Sequence, residues 1–292
     1  MRLLILGGTG MLGHQLYKSL SHFHDVKITT RQSMAEVAAF KIFKERDVLA
    51  NCNALNYEEL TAALAEVQPE VIINAIGLIK QRPEKEDVYK NLEVNSLFPR
   101  QLSIIARPRK IRIVHFSTDC VFSGKRGHYT EADLCDAEDA YGKSKFLGEL
   151  HESHTITLRT SIIGFELYNK ASLLEWALSQ KGQIRGFTKA IYTGFTTQEM
   201  ARVVNRIITQ FPDKSGLYQV ASEPINKYEL LQMINFTFKL NLDIVPDEKF
   251  TCYRDILSER FRREFTYQPP SWQVMIAELA AEYHAGRSKG SE

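Results

Sequence analysis

The chain has 292 residues, 44% of them hydrophobic and 25% charged, which is typical of a globular protein with one large domain or two closely joined ones. A net charge of +2 provides no electrostatic footprint for nucleic acid or an anionic membrane. The four cysteines form no CxxC pair, and no apolar run is long enough for a signal peptide or a membrane span, so we expect a cytoplasmic protein with reduced thiols and no bound metal.

Strand and helix patterns alternate through the first half of the chain. A strand LLIL (3–6) precedes a helix at 11–20 in which leucines recur every four residues. Further strands are predicted at 26–30, 48–52, 70–76, 111–117 and 155–161. The other helices are predicted at 56–67, at 88–106 with a kink at Pro99, and at 141–153. Because parallel strands need crossover connections, this pattern predicts an α/β fold, a Rossmann-type doubly wound parallel sheet with helices on both faces.

The second half of the chain loses this alternation. Helices are predicted at 196–211, 226–240 and 273–284, with a strand at 216–221 and a mixed, charged segment at 252–265. We expect residues 1–160 to form a dinucleotide-binding domain on which the segment of about 190–211 packs back. Residues 161–292 are expected to form mainly a smaller α/β substrate-binding domain, with a discontinuous arrangement left open.

A glycine-rich segment, GGTGMLG (7–13), lies between the first strand and the first helix. The N-terminus of a helix attracts anions through its unpaired N–H groups and its dipole. Gly7 permits a tight turn, Gly10 leaves room for a pyrophosphate, and Gly13 lets helix and strand pack closely. At the first strand of a βαβ series, this spacing predicts a dinucleotide site that also includes Met11 and Leu12.

The end of the second predicted strand indicates which dinucleotide binds. An acidic residue there would select NAD, but residues 26–35 contain no Asp or Glu. Arg31, eighteen residues after Gly13, offers a planar cation for a 2′-phosphate, and Thr30 and Ser33 add hydroxyl groups. We therefore predict NADPH (NADP⁺) as the cofactor, with NADH as the weaker alternative.

A second group of polar residues follows the strand IRIVHFS. Ser117 and Thr118 lie at its carboxyl end, where ligands bind in open α/β sheets, and a hydroxyl there could hydrogen-bond a carbonyl oxygen. Tyr141 and Lys145 are four residues apart on the next predicted helix and share one face. An ammonium near a phenol stabilises the phenolate, which suits a tyrosine acid whose pKa is lowered by lysine.

Together, GGTGMLG, NAIG (74–77), STDCVFSG (117–124) and YGKSK (141–145) resemble the extended short-chain dehydrogenase/reductases, in particular the dTDP-4-dehydrorhamnose reductase family. LRTS (158–161) and two later segments, at 216–234 and 260–276, are also similar to that family, so the likeness covers nearly the whole chain. The resemblance implies Thr118, Tyr141 and Lys145 as the catalytic triad.

Beside the glycine turn and Arg31, the expected cofactor contacts are Asn53, Asn74, Ala75, Ile76, Gly77, Asn95, Tyr141 and Lys145. The expected substrate contacts are Thr118, Asp119, Cys120, Tyr141 and Ser161. Basic residues that could clamp a substrate diphosphate are Arg185, Arg254 and Arg260.

Three departures from the family pattern lie near the expected sugar pocket. Cys120 stands where the family has tyrosine, Ile162 stands where it has tryptophan, and the segment 76–87 differs from the family's sequence. These changes leave the reductase chemistry in place and leave the identity of the sugar open. Sugar-nucleotide dehydratases carry an Asp-Glu pair after the threonine, whereas this chain has Asp119 and Cys120, so elimination lacks its acid/base partner.

The resemblance implies NADPH-dependent reduction of a 4-keto sugar nucleotide of the dTDP-4-dehydrorhamnose type, in deoxysugar or surface polysaccharide biosynthesis. Two alternatives remain: an NAD-dependent sugar-nucleotide 4-epimerase with the same triad, and a catalytically silent, cofactor-binding regulatory subunit. The expected partner is a small-molecule nucleotide sugar, with no nucleic acid and no membrane. The oligomeric state stays open, with a homodimer among the options.

Overall fold

Apolar runs such as LLIL and VIIN suit strands that are buried on both faces of a parallel sheet. The computed structural model describes residues 1–78, 87–168 and 170–288, and this part of the chain contains twelve strands. They are β1 (Arg2–Leu6), β2 (Asp25–Thr29), β3 (Val48–Leu49), β4 (Val71–Asn74), β5 (Arg112–Thr118), β6 (Thr155–Thr160), β7 (Ile162–Ile163), β8 (Gln183–Tyr192), β9 (Phe195–Thr196), β10 (Gly216–Gln219), β11 (Ile225–Asn226) and β12 (Asp243–Tyr253).

The same ranges contain eleven α-helices, several of which begin at a polar capping residue. They are α1 (Met11–Leu20), α2 (Met34–Ala38), α3 (Tyr57–Val67), α4 (Val88–Leu92), α5 (Phe98–Ala106), α6 (Ala140–Leu147), α7 (Leu173–Ser179), α8 (Thr197–Gln210), α9 (Lys227–Phe238), α10 (Glu259–Glu264) and α11 (Trp272–Ser288). Asn56, Thr196 and Asn226 accept hydrogen bonds from first-turn N–H groups of α3, α8 and α9. Across the described ranges, no helix combines the length and the apolar character needed to cross a bilayer.

Seven parallel strands form the central sheet in the order β3-β2-β1-β4-β5-β6-β10. This order confirms the predicted Rossmann-type, doubly wound sheet. The strand order reverses between β1 and β4, so a crevice opens there at the carboxyl ends of the strands, where ligands bind in open α/β sheets.

The two faces of the sheet pack against different helices. In β1, Leu3 and Ile5 point into one apolar cluster, and Leu4 and Leu6 point into the other. The first cluster includes side chains of α1, α8, α9 and α11, whereas the second includes those of α3 and α5. Helix α8 thus packs beside α1, and β10 adds to the central sheet next to β6. The division of the chain at residue 160 stays a prediction.

The predicted helix at 88–106 is interrupted rather than kinked. Between α4 and α5, residues Glu93–Leu97 form a π-helical turn, in which Phe98 N–H bonds to the carbonyl of Glu93. Pro99 explains the interruption, because it lacks the N–H that would bond to the Asn95 carbonyl four residues earlier. The backbone of Asn95 lies against Gly148, the residue that follows α6.

Helix α6 is shorter than the prediction of 141–153. It ends at Leu147, and the next residue, Gly148, lies against the backbone of the π-helical turn. A Cβ atom at residue 148 would lie 1.8 Å from the Asn95 carbonyl oxygen, so only glycine fits there. This close approach ends the helix and fixes α6 against α4 and α5.

A second sheet has the strand order β11-β8-β12. The sequence analysis predicted helices next to it but none of its three strands. Strand β12 has the sequence DIVPDEKFTCY, in which charges and Pro246 hide the period-two alternation. It lies at the edge of this sheet, where one side needs no backbone partner and proline is tolerated. Strands β7 and β9 form a further two-stranded sheet.

Candidate active site

The glycine turn between β1 and α1 has the geometry of a dinucleotide cradle. Gly7 has φ of +80°, a left-handed conformation that favours glycine. A Cβ atom at residue 13 would lie 2.2 Å from the Gly7 carbonyl oxygen, so Gly13 permits the close contact between turn and helix. A Cβ atom at residue 10 would meet only that same oxygen, at 3.3 Å. Gly10 also gives α1 no side-chain cap, which leaves the helix N-terminus open to an anion.

Gly8 is a further residue of the cradle, and the sequence analysis did not assign it a role. A Cβ atom there would lie 2.4 Å from the Cβ of Ile28 in β2. Its N–H donates to the Thr29 carbonyl at 3.0 Å, which joins the turn to that strand. The sequence does indicate such a role, because the turn requires only one glycine at this point and Gly7 is followed directly by a second.

The segment after β4 forms the opposite wall of the crevice. The Asn74 side chain accepts a hydrogen bond from Ile76 N–H at 3.1 Å and contacts the His115 ring at 3.2 Å, which holds the Asn74–Gly77 segment, including Ala75, in place. Asn95 accepts from Leu78 N–H at 3.0 Å through Oδ1 and donates to Ser144 at 3.2 Å through Nδ2. Asn95 therefore joins this wall to α6.

Two of the expected cofactor contacts are exposed in the segments that follow β2 and β3. Arg31 is exposed just beyond β2, and it has no ion pair or hydrogen bond with a described residue. Asn53 is exposed as well, and its Oδ1 accepts from Leu55 N–H at 3.3 Å, which stabilises a local turn. The Ser33 hydroxyl is used in the capping box of α2 with Glu36, so it is not available as an additional phosphate donor.

The three expected catalytic residues come together at the carboxyl end of β5. Thr118 is the last residue of that strand, and its hydroxyl donates to Asp119 Oδ1 at 3.0 Å and accepts from Cys120 N–H at 3.1 Å. The Tyr141 phenol, on α6, lies close enough to the Thr118 hydroxyl to interact with it. A Cβ atom at residue 142 would lie 2.2 Å from the Cys120 carbonyl oxygen, so Gly142 lets α6 approach this segment.

Lys145 lies one helical turn after Tyr141 and points toward the sheet. Its ammonium donates to the Phe116 carbonyl at 2.6 Å. A Cβ atom at residue 77 would lie 3.7 Å from Lys145 Nζ, so the small residue Gly77 keeps space open beside the ammonium. Lys145 therefore lies between β5 and the wall that follows β4.

The protonation states differ from the prediction that lysine lowers the tyrosine pKa. Burial raises the pKa of Tyr141, and the nearby Cys120 thiol acts in the same direction. Burial lowers the pKa of Lys145 to about 8. Burial is the largest cause of both pKa shifts, and the ammonium donates to the Phe116 carbonyl. Tyr141 is consequently a neutral acid at physiological pH, the form that can donate a proton.

A buried ion pair supports the strand that carries Thr118. Arg159 binds both carboxylate oxygens of Glu149, at 2.7 and 2.8 Å, and both side chains are almost completely buried. The Ser117 hydroxyl donates to the same carboxylate at 2.7 Å. This network joins β5, β6 and the segment after α6 directly beneath the candidate catalytic residues.

The expected substrate contacts lie at the end of β5, directly after it, at the start of α6 and directly after β6. Burial raises the pKa of Asp119. Cys120 is half-buried, and all four cysteines are free thiols. Ser161 is hydrogen-bonded to the side chain of Tyr192, which the sequence analysis did not single out. Ile162 begins β7 at the same end of the sheet. The departure from the family pattern at 76–87 lies largely outside the described residues.

The chain is similar in sequence to a known protein family. The family model described as RmlD substrate binding domain matches residues 1–285. A dTDP-4-dehydrorhamnose reductase of Aggregatibacter actinomycetemcomitans is 29% identical over 233 residues, which cover 76% of this chain and 74% of the relative. A methionine adenosyltransferase 2 subunit beta of Danio rerio is 24% identical over 252 residues, which cover 82% of this chain and 74% of the relative.

The fold is also similar to solved structures. A crystal structure of dTDP-4-dehydrorhamnose reductase from Bacillus anthracis str. Ames, in complex with NADP, matches with a TM-score of 0.79 at 20% identity and covers 96% of this chain and 99% of that chain. At this level of identity the likeness concerns the fold. The sequence resemblance and the predicted fold are confirmed, and the chain belongs to the RmlD substrate-binding domain family.

Proposed function

We propose that the chain is an NADPH-dependent reductase that converts a 4-keto sugar nucleotide into the corresponding alcohol. The observation that carries this proposal is the convergence of Thr118, Tyr141 and Lys145 at the carboxyl edge of the sheet, beside an uncapped helix N-terminus. The names of the relatives support a sugar-nucleotide substrate. We assign the reaction to deoxysugar or surface polysaccharide biosynthesis, and dTDP-4-dehydrorhamnose is the first substrate to test.

The cradle fits the proposed cofactor. Its three spaced glycines leave the first turn of α1 without a side-chain cap, and a Cβ atom at residue 10 would meet only the Gly7 carbonyl oxygen. Gly7, Gly10 and Gly13, with the backbone of Met11 and Leu12, would hold the pyrophosphate. The Asn74–Gly77 segment, with Asn53 and Asn95 at either end of the crevice, would line the rest of the site.

The chain's own residues supply the proton and the positioning. When bound, NADPH supplies a hydride for the keto carbon. Tyr141 donates its proton to the oxygen that develops negative charge, because burial keeps the phenol neutral. Thr118 turns its hydroxyl from Asp119 toward the same oxygen and stabilises that charge. Lys145, which donates to the Phe116 carbonyl, would hold the ribose hydroxyls of the bound cofactor.

We predict a loss of function at alkaline pH through Lys145. Burial lowers the pKa of this side chain to about 8. The amine is therefore protonated well below that pH and loses its charge as the pH rises through it. NADPH affinity and kcat/KM should therefore fall above about pH 8, the latter by roughly tenfold per pH unit. Fluorescence titration of NADPH between pH 6 and about pH 10 measures the first quantity. In Lys145→Met the affinity should be lower and independent of pH, and a flat wild-type profile up to about pH 10 would contradict the assignment.

We predict that Arg31 selects NADPH over NADH. Its exposed guanidinium has no partner among the described residues and can bind the 2′-phosphate. A charge-assisted contact contributes roughly 1.5–3 kcal/mol, so Arg31→Ala should weaken NADPH binding by about ten- to over a hundred-fold and leave NADH binding nearly unchanged. Calorimetric titration of both cofactors at fixed salt measures this. Arg46→Ala, at another exposed arginine, is the matched control, and equal affinities of the wild type for both cofactors would refute the role of Arg31.

One experiment separates the proposed reductase from its two alternatives. A panel of 4-keto sugar nucleotides, generated in situ by dehydratases, is incubated with the protein and NADPH, and absorbance of NADPH is followed. Stoichiometric NADPH consumption supports the reductase. Interconversion of 4-epimers without net consumption supports the epimerase. The third alternative is a silent subunit, which is suggested by the relative named methionine adenosyltransferase 2 subunit beta. A silent subunit would bind the cofactor but turn over no substrate in the panel.

A further inference from the structure

His115 is a completely buried side chain that takes no part in the proposed reaction. It lies in β5, three residues before Thr118, and none of its surface is exposed to solvent. Its neighbour on β4 in the central sheet is Asn74, the first residue of the Asn74–Gly77 wall. Burial of an imidazole is costly unless its nitrogens are hydrogen-bonded, so the contacts of this ring indicate its role.

The hydrogen bonds of Asn74 determine which nitrogen of the His115 ring carries the hydrogen. Asn74 Oδ1 accepts from Ile76 N–H at 3.1 Å, so the oxygen and the nitrogen of this amide are not interchangeable. Its Nδ2 can only donate, and it therefore donates to His115 Nδ1 at 3.2 Å. Burial holds the pKa of His115 well below its usual value, and the cations of Lys145 and Arg100 act in the same direction. The ring is consequently neutral, with its hydrogen on Nε2.

Packing alone does not account for a histidine at this position. The same face of β5 carries Ile113, which belongs to the apolar cluster that includes side chains of α5. His115 Nε2 is buried and has no hydrogen-bond partner in the ranges that the structure describes. Leucine would fill similar space without burying an unpaired N–H group. The acceptor that Nδ1 offers to Asn74 is what distinguishes histidine from an apolar residue here.

Asn74 transmits this constraint to the wall of the crevice. By accepting from Ile76 N–H, its side chain fixes the backbone that follows β4. The Ile76 side chain lies against the glycine turn, since a Cβ atom at residue 7 would lie 2.9 Å from Ile76 Cγ1. Gly77 lies beside Lys145, whose Nζ would be 3.7 Å from a Cβ atom at that residue. The position of residues 76 and 77 therefore sets the space between the glycine turn and the Lys145 ammonium.

We propose that His115 is a positioning residue for the dinucleotide, whose Nδ1 acts through Asn74 to hold Ile76 and Gly77 in the conformation that receives NADPH. The inference rests on the cofactor of the proposed function and adds to it a residue of the sheet interior. Without the Nδ1 acceptor, Asn74 Nδ2 is buried and unpaired, which favours rotation of the amide. Such a rotation withdraws Oδ1 from Ile76 N–H and releases the wall.

Two substitutions of nearly equal size separate this role from packing. In His115→Asn the side-chain oxygen is attached to Cγ, as Nδ1 is in histidine, and it can accept from Asn74. His115→Leu offers no acceptor. We expect NADPH affinity, measured by fluorescence titration, to stay within about threefold of the wild type in His115→Asn and to fall by roughly tenfold in His115→Leu. A leucine variant that binds NADPH as tightly as the asparagine variant, or more tightly, would overturn the proposal.

Stability provides a second comparison between the same variants. Urea unfolding should show His115→Leu to be at least as stable as His115→Asn, because leucine suits the apolar surroundings better. A residue with a purely structural role would give NADPH affinities in the same order as the stabilities, whereas we expect the opposite order. The matched control is His154→Leu, because His154 hydrogen-bonds Ser103 and pairs through its carbonyl with Ile113, near the amino end of β5. This control should leave NADPH affinity unchanged.

A double-mutant cycle tests the route through Asn74. If His115 acts only through this amide, His115→Leu should weaken NADPH binding no further in a protein that already carries Asn74→Ala. Losses of affinity that simply add in the double variant would contradict this route.

The tautomer of His115 gives a readout on the unsubstituted protein. NMR of protein with isotope-labelled histidine distinguishes protonated from unprotonated ring nitrogens, and the His115 signals are those that disappear in His115→Asn. We expect a neutral ring with hydrogen on Nε2 and none on Nδ1. A ring with its hydrogen on Nδ1, or a charged ring at neutral pH, would overturn the proposal even if the leucine variant did not fold.

The positioning role and the proposed reductase fail in different ways. If the variants at residue 115 change NADPH affinity as expected but the protein reduces no 4-keto sugar nucleotide, the positioning role is retained and the reductase is refuted. If the protein reduces such a substrate and binds NADPH equally well with His115 or leucine at this position, the reductase is retained and the positioning role is refuted.

Discussion

Tyr141→Phe should reduce kcat by at least about a hundred-fold while NADPH affinity stays within about twofold of the wild type. The phenol proton is required only when the carbonyl oxygen develops charge, whereas the cofactor is held mainly by the glycine turn and α1. Burial keeps the pKa of this phenol above its usual value, so the loss should be similar across the neutral pH range. Steady-state turnover and fluorescence titration of NADPH measure the two quantities.

The control for this variant is Tyr89→Phe. Tyr89 is exposed on α4, away from the candidate pocket, and loss of its hydroxyl should change neither quantity. A Tyr141→Phe protein that retains more than about a tenth of the wild-type kcat would exclude Tyr141 as the proton donor. A parallel loss of NADPH affinity would instead indicate that the phenol positions the cofactor.

The largest effect on stability is expected at the buried ion pair of Glu149 and Arg159. Arg159→Met removes both hydrogen bonds to the carboxylate and leaves the charge of Glu149 buried beside Ser117. Breaking a buried pair on one side costs roughly 3–5 kcal/mol of the free energy of unfolding, and a urea denaturation curve measures it directly. Because Ser117 precedes Thr118 in β5, turnover should fall as well.

Replacement of both partners tests the cause of this loss. The double variant Glu149→Leu with Arg159→Met removes the buried charge altogether and should recover most of the lost stability. The surface pair of Lys125 and Glu138 is the matched control, because both side chains are 74% exposed, and Lys125→Met should leave the urea midpoint unchanged. A double variant no more stable than the single one would show that the arginine acts through its packing against Phe122 instead.

Local patterns were sufficient to predict the central sheet and the cradle. The strands of the first half are short apolar runs between amphipathic helices, and a sheet that is covered on both faces allows little else. The spacing of Gly7, Gly10 and Gly13 likewise follows from contacts over a few residues. A Cβ atom at residue 13, for example, would lie 2.2 Å from the Gly7 carbonyl oxygen. A strand end and a helical spacing singled out Thr118, Tyr141 and Lys145, and the family resemblance implied their catalytic role.

Long-range contacts decided the features that the sequence analysis missed. Helix α6 ends where Gly148 meets the backbone of Asn95, and the chain separates these two residues by more than fifty positions. Strand β12 could not be identified from its own residues, because an edge strand accepts charges and proline. The second sheet therefore emerged only from the pairing of β8 with β11 and β12.

The sequence by itself determined the fold class and the dinucleotide turn, because each depends on residue types at fixed local spacing, and its resemblance to the family pointed to the three candidate catalytic residues. The tertiary structure alone decided their electrostatics. Burial raises the pKa of Tyr141, in the opposite sense from the prediction, and lowers that of Lys145. It alone also brought Lys227 and Arg254 near Asp119 and Cys120, because the charges that face one another depend on which distant segments pack together.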